Sequence, residues 1–173
     1  MQLDVRTAII LRHPTAAAVL LLRRSPTKKL FPNLITGIGG KVELAAGEGN
    51  DQHAAALREF GEETAIPLAF VTDLRLRLST ILTRDALQVI LLWFTGCLTT
   101  LPTDLRCTEG QLEFYPVDQL PVSFMIPTAS QTIPFILSLP ADDTTIYNGY
   151  FDHTNRLFTN RPTLATAFAE ANR

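Results

Sequence analysis

The stretch Asp51-Gln52-His53-Ala54-Ala55-Ala56-Leu57-Arg58-Glu59-Phe60-Gly61-Glu62-Glu63-Thr64 carries the reading of this chain. Asp51 has the side chain of a helix N-cap, helix formers follow it, and Pro67 forbids continuation, so a helix is expected through Thr64. On a wheel of about 3.6 residues per turn, Glu59, Glu62 and Glu63 share one face, with Ala55 one turn back on it. His53, Leu57, Phe60 and Thr64 fall on the other face, which is expected to pack. Two carboxylates 4 Å apart repel by roughly 4 kcal/mol at an effective dielectric typical of a protein surface. By itself the pattern fits two readings. One is a solvated acidic surface on which Arg58 pairs with Glu62 at i, i+4. The other is a site for a hard divalent cation, Mg²⁺ or Mn²⁺, that holds substrate phosphates and activates water, with Ala55 leaving room for the ligand.

Before the helix, Val5 to Leu11 and Ala16 to Leu22 read as strands joined by a turn at His13-Pro14-Thr15, and they are expected to pair. Arg23 to Asn33 is basic and turn-rich, and leads into Thr36-Gly37-Ile38-Gly39-Gly40-Lys41-Val42-Glu43, whose glycines suggest unusual backbone angles or close approach to a ligand. After the helix, Phe70 to Leu82 and Leu87 to Leu98 read as a hairpin bending at Arg84-Asp85, with another strand near Leu112 to Val117. Pro127 to Leu139 reads as a second helix kinked by Pro134, and Thr144 to Tyr150 as extended. Leu164 and Phe168, four apart, predict a short amphipathic helix that packs on its own domain or on a second copy as a homodimer.

With 173 residues and 46% apolar composition, residues 1–173 are expected to form a single domain with one sizeable core. A formal charge of -2 offers no general field for a nucleic acid polymer or an anionic membrane, so any phosphate recognition is local. The start of the chain lacks a basic stretch leading into an apolar signal core, and later apolar runs are broken by charge or Pro, so a cytoplasmic location is expected, without a membrane. Cys97 and Cys107 have no CxxC spacing and read as ordinary buried thiols; His13, His53 and His153 are too scattered to suggest zinc.

Gly40, Glu48 and the run Arg58-Glu59-Phe60-Gly61-Glu62-Glu63-Thr64-Ala65-Ile66 resemble the Nudix box, Gly-x5-Glu-x7-Arg-Glu-U-x-Glu-Glu-x-Gly-U with U apolar. Two departures stand out. The spacings Gly40 to Glu48 and Glu48 to Arg58 are each two residues longer than the pattern, and Ala65 replaces its glycine, at a cost on the order of 1 kcal/mol if that position is left-handed.

The resemblance implies an α/β fold, the Nudix α/β/α sandwich with a mixed β-sheet. It further implies that Glu59, Glu62 and Glu63, with the carbonyl of Gly39, bind Mg²⁺ or Mn²⁺, and that Arg58 orients the carboxylates. Glu109, preferred to Glu113, matches the segment where relatives place a further carboxylate. Glu59, Glu62 and Glu109 all stand as candidates for general base. Thr36, Gly40, Lys41 and Arg23 are expected to meet a nucleotide-like diphosphate substrate, although an exposed turn is the plainer reading of the basic loop Arg23, Arg24, Lys28 and Lys29.

The activity implied is attack of activated water on one phosphorus of a nucleoside diphosphate linkage. The segments Gln119-Leu120-Pro121, Met125-Ile126-Pro127-Thr128-Ala129 and Gly149-Tyr150-Phe151 resemble the MutT-like, oxidised-purine triphosphatase branch, whose human-type member reads Met-Trp-Pro-Asp-Asp in the middle segment. Here Ile126, Thr128 and Ala129 replace the aromatic residue and both acids, and Thr36 replaces an Asn, so that branch's purine-reading groups are missing. A nucleoside triphosphate leads as substrate, followed by ADP-ribose or a dinucleoside polyphosphate. A nucleotide-binding sensor of the same fold without hydrolysis is the reading from another class.

Overall fold

Leucine-rich and β-branched runs with little charge in their middles make strands that are covered on both faces. The computed structural model of the chain describes residues 2–140 and 142–160. Among them nine strands form one mixed sheet: β1 (Gln2–Arg12), β2 (Ala18–Arg24), β3 (Ile35–Thr36), β4 (Val71–Arg84), β5 (Leu87–Leu98), β6 (Arg106–Cys107), β7 (Gly110–Pro116), β8 (Tyr147–Phe151) and β9 (Leu157–Thr159). Their order is β6-β7-β2-β1-β5-β4-β8-β9, with β3 added to β2.

The same residues include two α-helices, α1 (Gln52–Glu63) and α2 (Pro127–Leu137), one on each face of the sheet. Strand alternation sorts the core between them. On β1, Val5, Ile9 and Leu11 pack with Ala56 and Phe60 of α1, whereas Ala8 and Ile10 pack with Ala129 and Ile133 of α2. This is the expected α/β/α arrangement around a mixed sheet.

The expected pairing of the first two strands is correct only near their turn. There His13 Nδ1 accepts the amides of Thr15 (3.1 Å) and Ala16 (2.9 Å), and Leu11 lies opposite Leu20. The long partner of β1 is β5, parallel to it, from Gln2 opposite Leu87 to Arg12 opposite Cys97. Both are apolar runs covered on two faces, which suits the centre of a sheet. Away from the turn β1 and β2 diverge, and residues 38–42 fill the gap. The Ile9 amide donates to Ile38 O (2.6 Å), that of Thr7 to Gly40 O (2.9 Å), and that of Val42 to Val5 O (2.8 Å). The glycine loop is therefore sewn into the middle of the sheet, beneath α1.

Elsewhere the differences are local. The β4–β5 turn centres on Asp85, held at φ 51, and Ala86. α2 keeps Pro134 inside it but ends at Leu137, where the Ser138 amide donates to Pro134 O (3.0 Å). β9 was not expected; three residues are too short to leave a periodic signal. Cys97 and Cys107 are free, and half-buried where buried thiols were expected. No helix among the described residues is long and apolar enough to cross a membrane. The expected amphipathic segment at Leu164 and Phe168 lies outside the described residues.

Candidate active site

α1 starts where Asp51 Oδ1 accepts the Ala54 amide (2.9 Å). It ends at Thr64, which is extended (φ −119, ψ 154) and whose amide and Oγ1 both donate to Phe60 O (3.0 and 2.9 Å). Ala65 is not among the residues with positive φ, so the cost expected for replacing glycine there does not arise. Thr64 closes the helix instead. Beyond it, Ala65 donates to Arg106 O (3.1 Å) and Thr108 to Glu63 O (2.9 Å), which fixes the segment before β7 against the helix end.

Within this frame the acidic face is graded from inside to outside. The side chain of Glu59 is 13% exposed and that of Glu62 60%. Ala55 corrects the expected wheel: it is fully buried in the α1-side core beside Ala56, so it packs against the sheet and leaves no room for a ligand.

The glycine loop approaches the carboxylates from below. A Cβ on Gly40 would collide with the carboxylate of Glu59. Gly39 sits at φ +142, and a Cβ there would lie 2.7 Å from Thr7 O. Gly39 needs glycine for its backbone angle and its contact with Thr7, whereas Gly40 leaves room for the Glu59 side chain. The backbone of Gly39 stands close enough to the Glu63 carboxylate to act against the rise in its pKa.

Arg58 spreads its guanidinium over three carboxylates. Nε and Nη2 hold Glu48 (2.5 and 3.0 Å), Nη2 also reaches Glu59 (2.9 Å) and the carbonyl of Lys41 (3.2 Å), and Nη1 holds Glu62 (2.8 Å). The planar fork suits this task, which a point charge would not perform. Glu48 also accepts the amide of Glu43 (2.7 Å), and its pKa is lowered chiefly by the hydrogen bond from Arg58. The lengthened loop does not displace Glu48. Two short 3-10 turns, Leu44–Ala46 and Glu48–Asn50, joined by Gly47 at φ 85, take up the extra residues.

Arg58 does not neutralise everything. Burial, then the charges of Glu109 and Glu59, push the Glu63 carboxyl up to about 7, and burial also raises Glu59 against the pull of Arg58. Glu63 Oε2 is buried without a hydrogen-bond partner. A buried oxygen of that kind, flanked by two further carboxylates, fits a divalent cation and fits poorly with a purely structural role. Among the described residues, no three acidic, His or Cys side chains form a ready cage for an ion. The chemistry of the donors nonetheless suits a hard cation that keeps part of its water, as Mg²⁺ does.

The other expected site residues divide. Glu109 stands beside Glu63 and pairs with Lys28, because the Ser25 amide donates to Glu109 O (2.9 Å) and brings the basic loop to this edge. No motif marks Lys28; the meeting of two distant loops places it. Glu113 lies on the α2 face with Arg23, which it holds at 3.0 and 3.1 Å, while Arg23 also reaches Tyr115 (2.9 Å). Arg23, expected to meet the substrate, is thus engaged by Glu113 and Tyr115 on the α2 face. Lys41 points its side chain to solvent and contributes its carbonyl to Arg58. Thr36 and Gly39 line a cavity of about 280 Å³.

A family model described as the NUDIX domain matches residues 2–135. Among solved structures, the chain is similar to a mutator MutT protein from Bacillus halodurans, at 17% identity over 92% of this chain and 99% of that one, with a TM-score of 0.66. It is similar to a NUDIX hydrolase from Nitrosomonas europaea (14%, 87% and 80%, TM-score 0.65). It also resembles the dihydroneopterin triphosphate pyrophosphohydrolase of E. coli (16%, 79% and 98%, TM-score 0.60). At such identities the likeness to these structures is one of fold. No curated protein sequence matches the chain.

Proposed function

Because the chain belongs to the NUDIX domain family, and is as such a pyrophosphohydrolase, we propose that it cleaves the diphosphate linkage of a nucleoside triphosphate with Mg²⁺ or Mn²⁺. The observation that carries this reading is the buried, partnerless Oε2 of Glu63, between the carboxylates of Glu59 and Glu109 and above the Gly39 backbone. Glu59, Glu62 and Glu63 with Gly39 would hold the cation. When bound, such an ion polarises phosphate oxygens and lowers the pKa of water.

The chain's own residues do the rest. Arg58 fixes Glu48, Glu59 and Glu62 in one arrangement before substrate arrives, so little reorganisation is left for the reaction. Glu109 is our choice among the possible bases, because the segment that carries it is pinned to the end of α1 and its partner Lys28 can turn to a phosphate oxygen. Gly40 keeps the floor of the site open beside Glu59. We place the enzyme in a reducing cytoplasm, in keeping with its two free thiols.

One observation favours a second reading, a substrate with groups on both sides of the diphosphate such as ADP-ribose or a dinucleoside polyphosphate. A groove of about 970 Å³ is lined by Glu62, Glu63, Thr64 and Arg106, apart from the cavity at Thr36. Product analysis over a panel of these compounds with Mg²⁺ separates the readings. Preferred cleavage of a triphosphate supports the first, and preferred cleavage of a two-sided substrate replaces it with the second.

A further inference from the structure

A pocket of about 160 Å³ lies on the α2 face, at the end of β1. Arg12, Arg75 and Arg77 line it, and among the described residues Asp73 is the one carboxylate in the lining. Thr7, where the glycine loop is sewn to β1, lies roughly 16 Å from Arg12 along the extended strand, so this pocket is separate from the carboxylate site.

Two irregularities in β4 bring the arginines there. Its pairing with β5 slips between Thr72 and Arg75, where Asp73 is held at φ 51, and again between Leu76 and Leu78. The second slip makes Arg77 an extra residue: Leu76 stands opposite Phe94 on the α1 side, whereas Leu78 stands opposite Trp93 on the α2 side. A bulge re-aims side chains, and a left-handed residue other than glycine costs free energy, so the strand is shaped here at the expense of regularity. Across the sheet, Arg75 lies opposite Thr95 and Arg12 opposite Cys97, two neighbours on one face of β5 that also line the pocket.

The positive charge is not cancelled from within. Arg77 is 6% exposed and engages the carbonyl of Asp143 and, at 3.5 Å, its carboxylate, which also accepts from the Tyr147 hydroxyl (2.9 Å) and the Thr145 amide (2.8 Å). Arg75 has only Asp73, at 3.5 Å and with both side chains at least half exposed, which is a weak pairing. Among the described residues Arg12 makes no ion pair. The end of α2 does not take up these donors either: the Ser138 amide occupies the carbonyls of Pro134 (3.0 Å) and Phe135 (3.1 Å), and the Leu139 amide that of Ile136 (3.2 Å). Even with Arg77 matched to Asp143, Arg12 and Arg75 stand against Asp73 alone, in a chain whose net charge is -2. Guanidinium forks that converge on a small space suit the several oxygens of a phosphate group.

We propose that this pocket is a second anion site, which binds an inorganic phosphate or diphosphate ion between Arg12 and Arg75 with Arg77 at its buried side. The site needs neither a divalent cation nor the hydrolase reading of the carboxylates.

Calorimetric titration of inorganic diphosphate into the full chain tests it, in chelator so that no cation bridges the anion to the acidic face. One equivalent is expected to bind. Arg12→Gln and Arg75→Gln, both at positions open to solvent, should each weaken binding by about tenfold or more. Arg156→Gln removes the same charge from an exposed position elsewhere and should leave binding within about twofold at physiological ionic strength. In amide NMR spectra the titration should shift Arg12, Gly96 and Cys97. Absence of binding, equal weakening by all three variants, or shifts confined to the glycine loop and α1 overturns the proposal.

Discussion

Glu63 draws together the electrostatics of the site. Its folded pKa, about 7, lies above the ordinary value of 4.5 because it is buried and faces Glu109 and Glu59. For a group shifted upward, the contribution to stability is full below the unfolded value and is lost as pH rises through the folded one. Without cations, the melting temperature should fall as pH is raised from about 5 to about 8, and Mg²⁺ should restore it mostly at the upper end. Glu63→Gln should flatten this dependence in thermal melts; an unchanged slope would remove Glu63 as its origin. The same variant should lower turnover by at least about a hundredfold while the circular dichroism spectrum stays native. The triad on α1 was legible because a helix repeats every turn, so spacing alone puts Glu59, Glu62 and Glu63 together. The basic loop was legible as a turn that carries Lys28, but the pairing of Lys28 with Glu109 was not, since it arises only through tertiary contacts.

Two elements, α1 and the loop ahead of it, hold these residues in place. The sequence marked α1 at both ends, with Asp51 as cap and Pro67 as limit, and the structure ends it at Glu63. It left the role of Glu48 open, because a longer loop does not reveal where its turns fall. Arg58→Lys keeps a charge but cannot bridge Glu48, Glu59 and Glu62 in one plane, so kcat should fall by about ten- to a hundredfold, and Arg58→Ala should fall further. Equal activity of Arg58→Lys in initial-rate assays would argue against the positioning role. Gly39→Ala places a Cβ against Thr7 O at φ +142, which should cost on the order of 1–3 kcal/mol in denaturant titration. Gly40→Ala should instead lose activity by about tenfold or more with a smaller effect on folding, since its Cβ meets the Glu59 side chain and not the backbone.

Across the whole molecule, one mixed sheet separates two tasks. The α1 face gathers the carboxylates, and the α2 face carries the apolar cavity, with Gly39 between them. The α/β/α layering was implied by the family resemblance, with which the order of strands and helices agreed, but the parallel pairing of β1 with β5 was not, because strands so far apart leave no local sign of their partnership. That pairing opens the gap that residues 38–42 fill, and so makes the glycine loop part of the sheet. The central claim is that these parts together hydrolyse a nucleotide diphosphate linkage. Its most direct test is chromatographic analysis of a nucleotide panel incubated with the enzyme and Mg²⁺, with chelator and Glu63→Gln as controls. The account predicts diphosphate cleavage of at least one member, lost in both controls. Nucleotide binding without cleavage of any member, or cleavage that persists in Glu63→Gln, would contradict it.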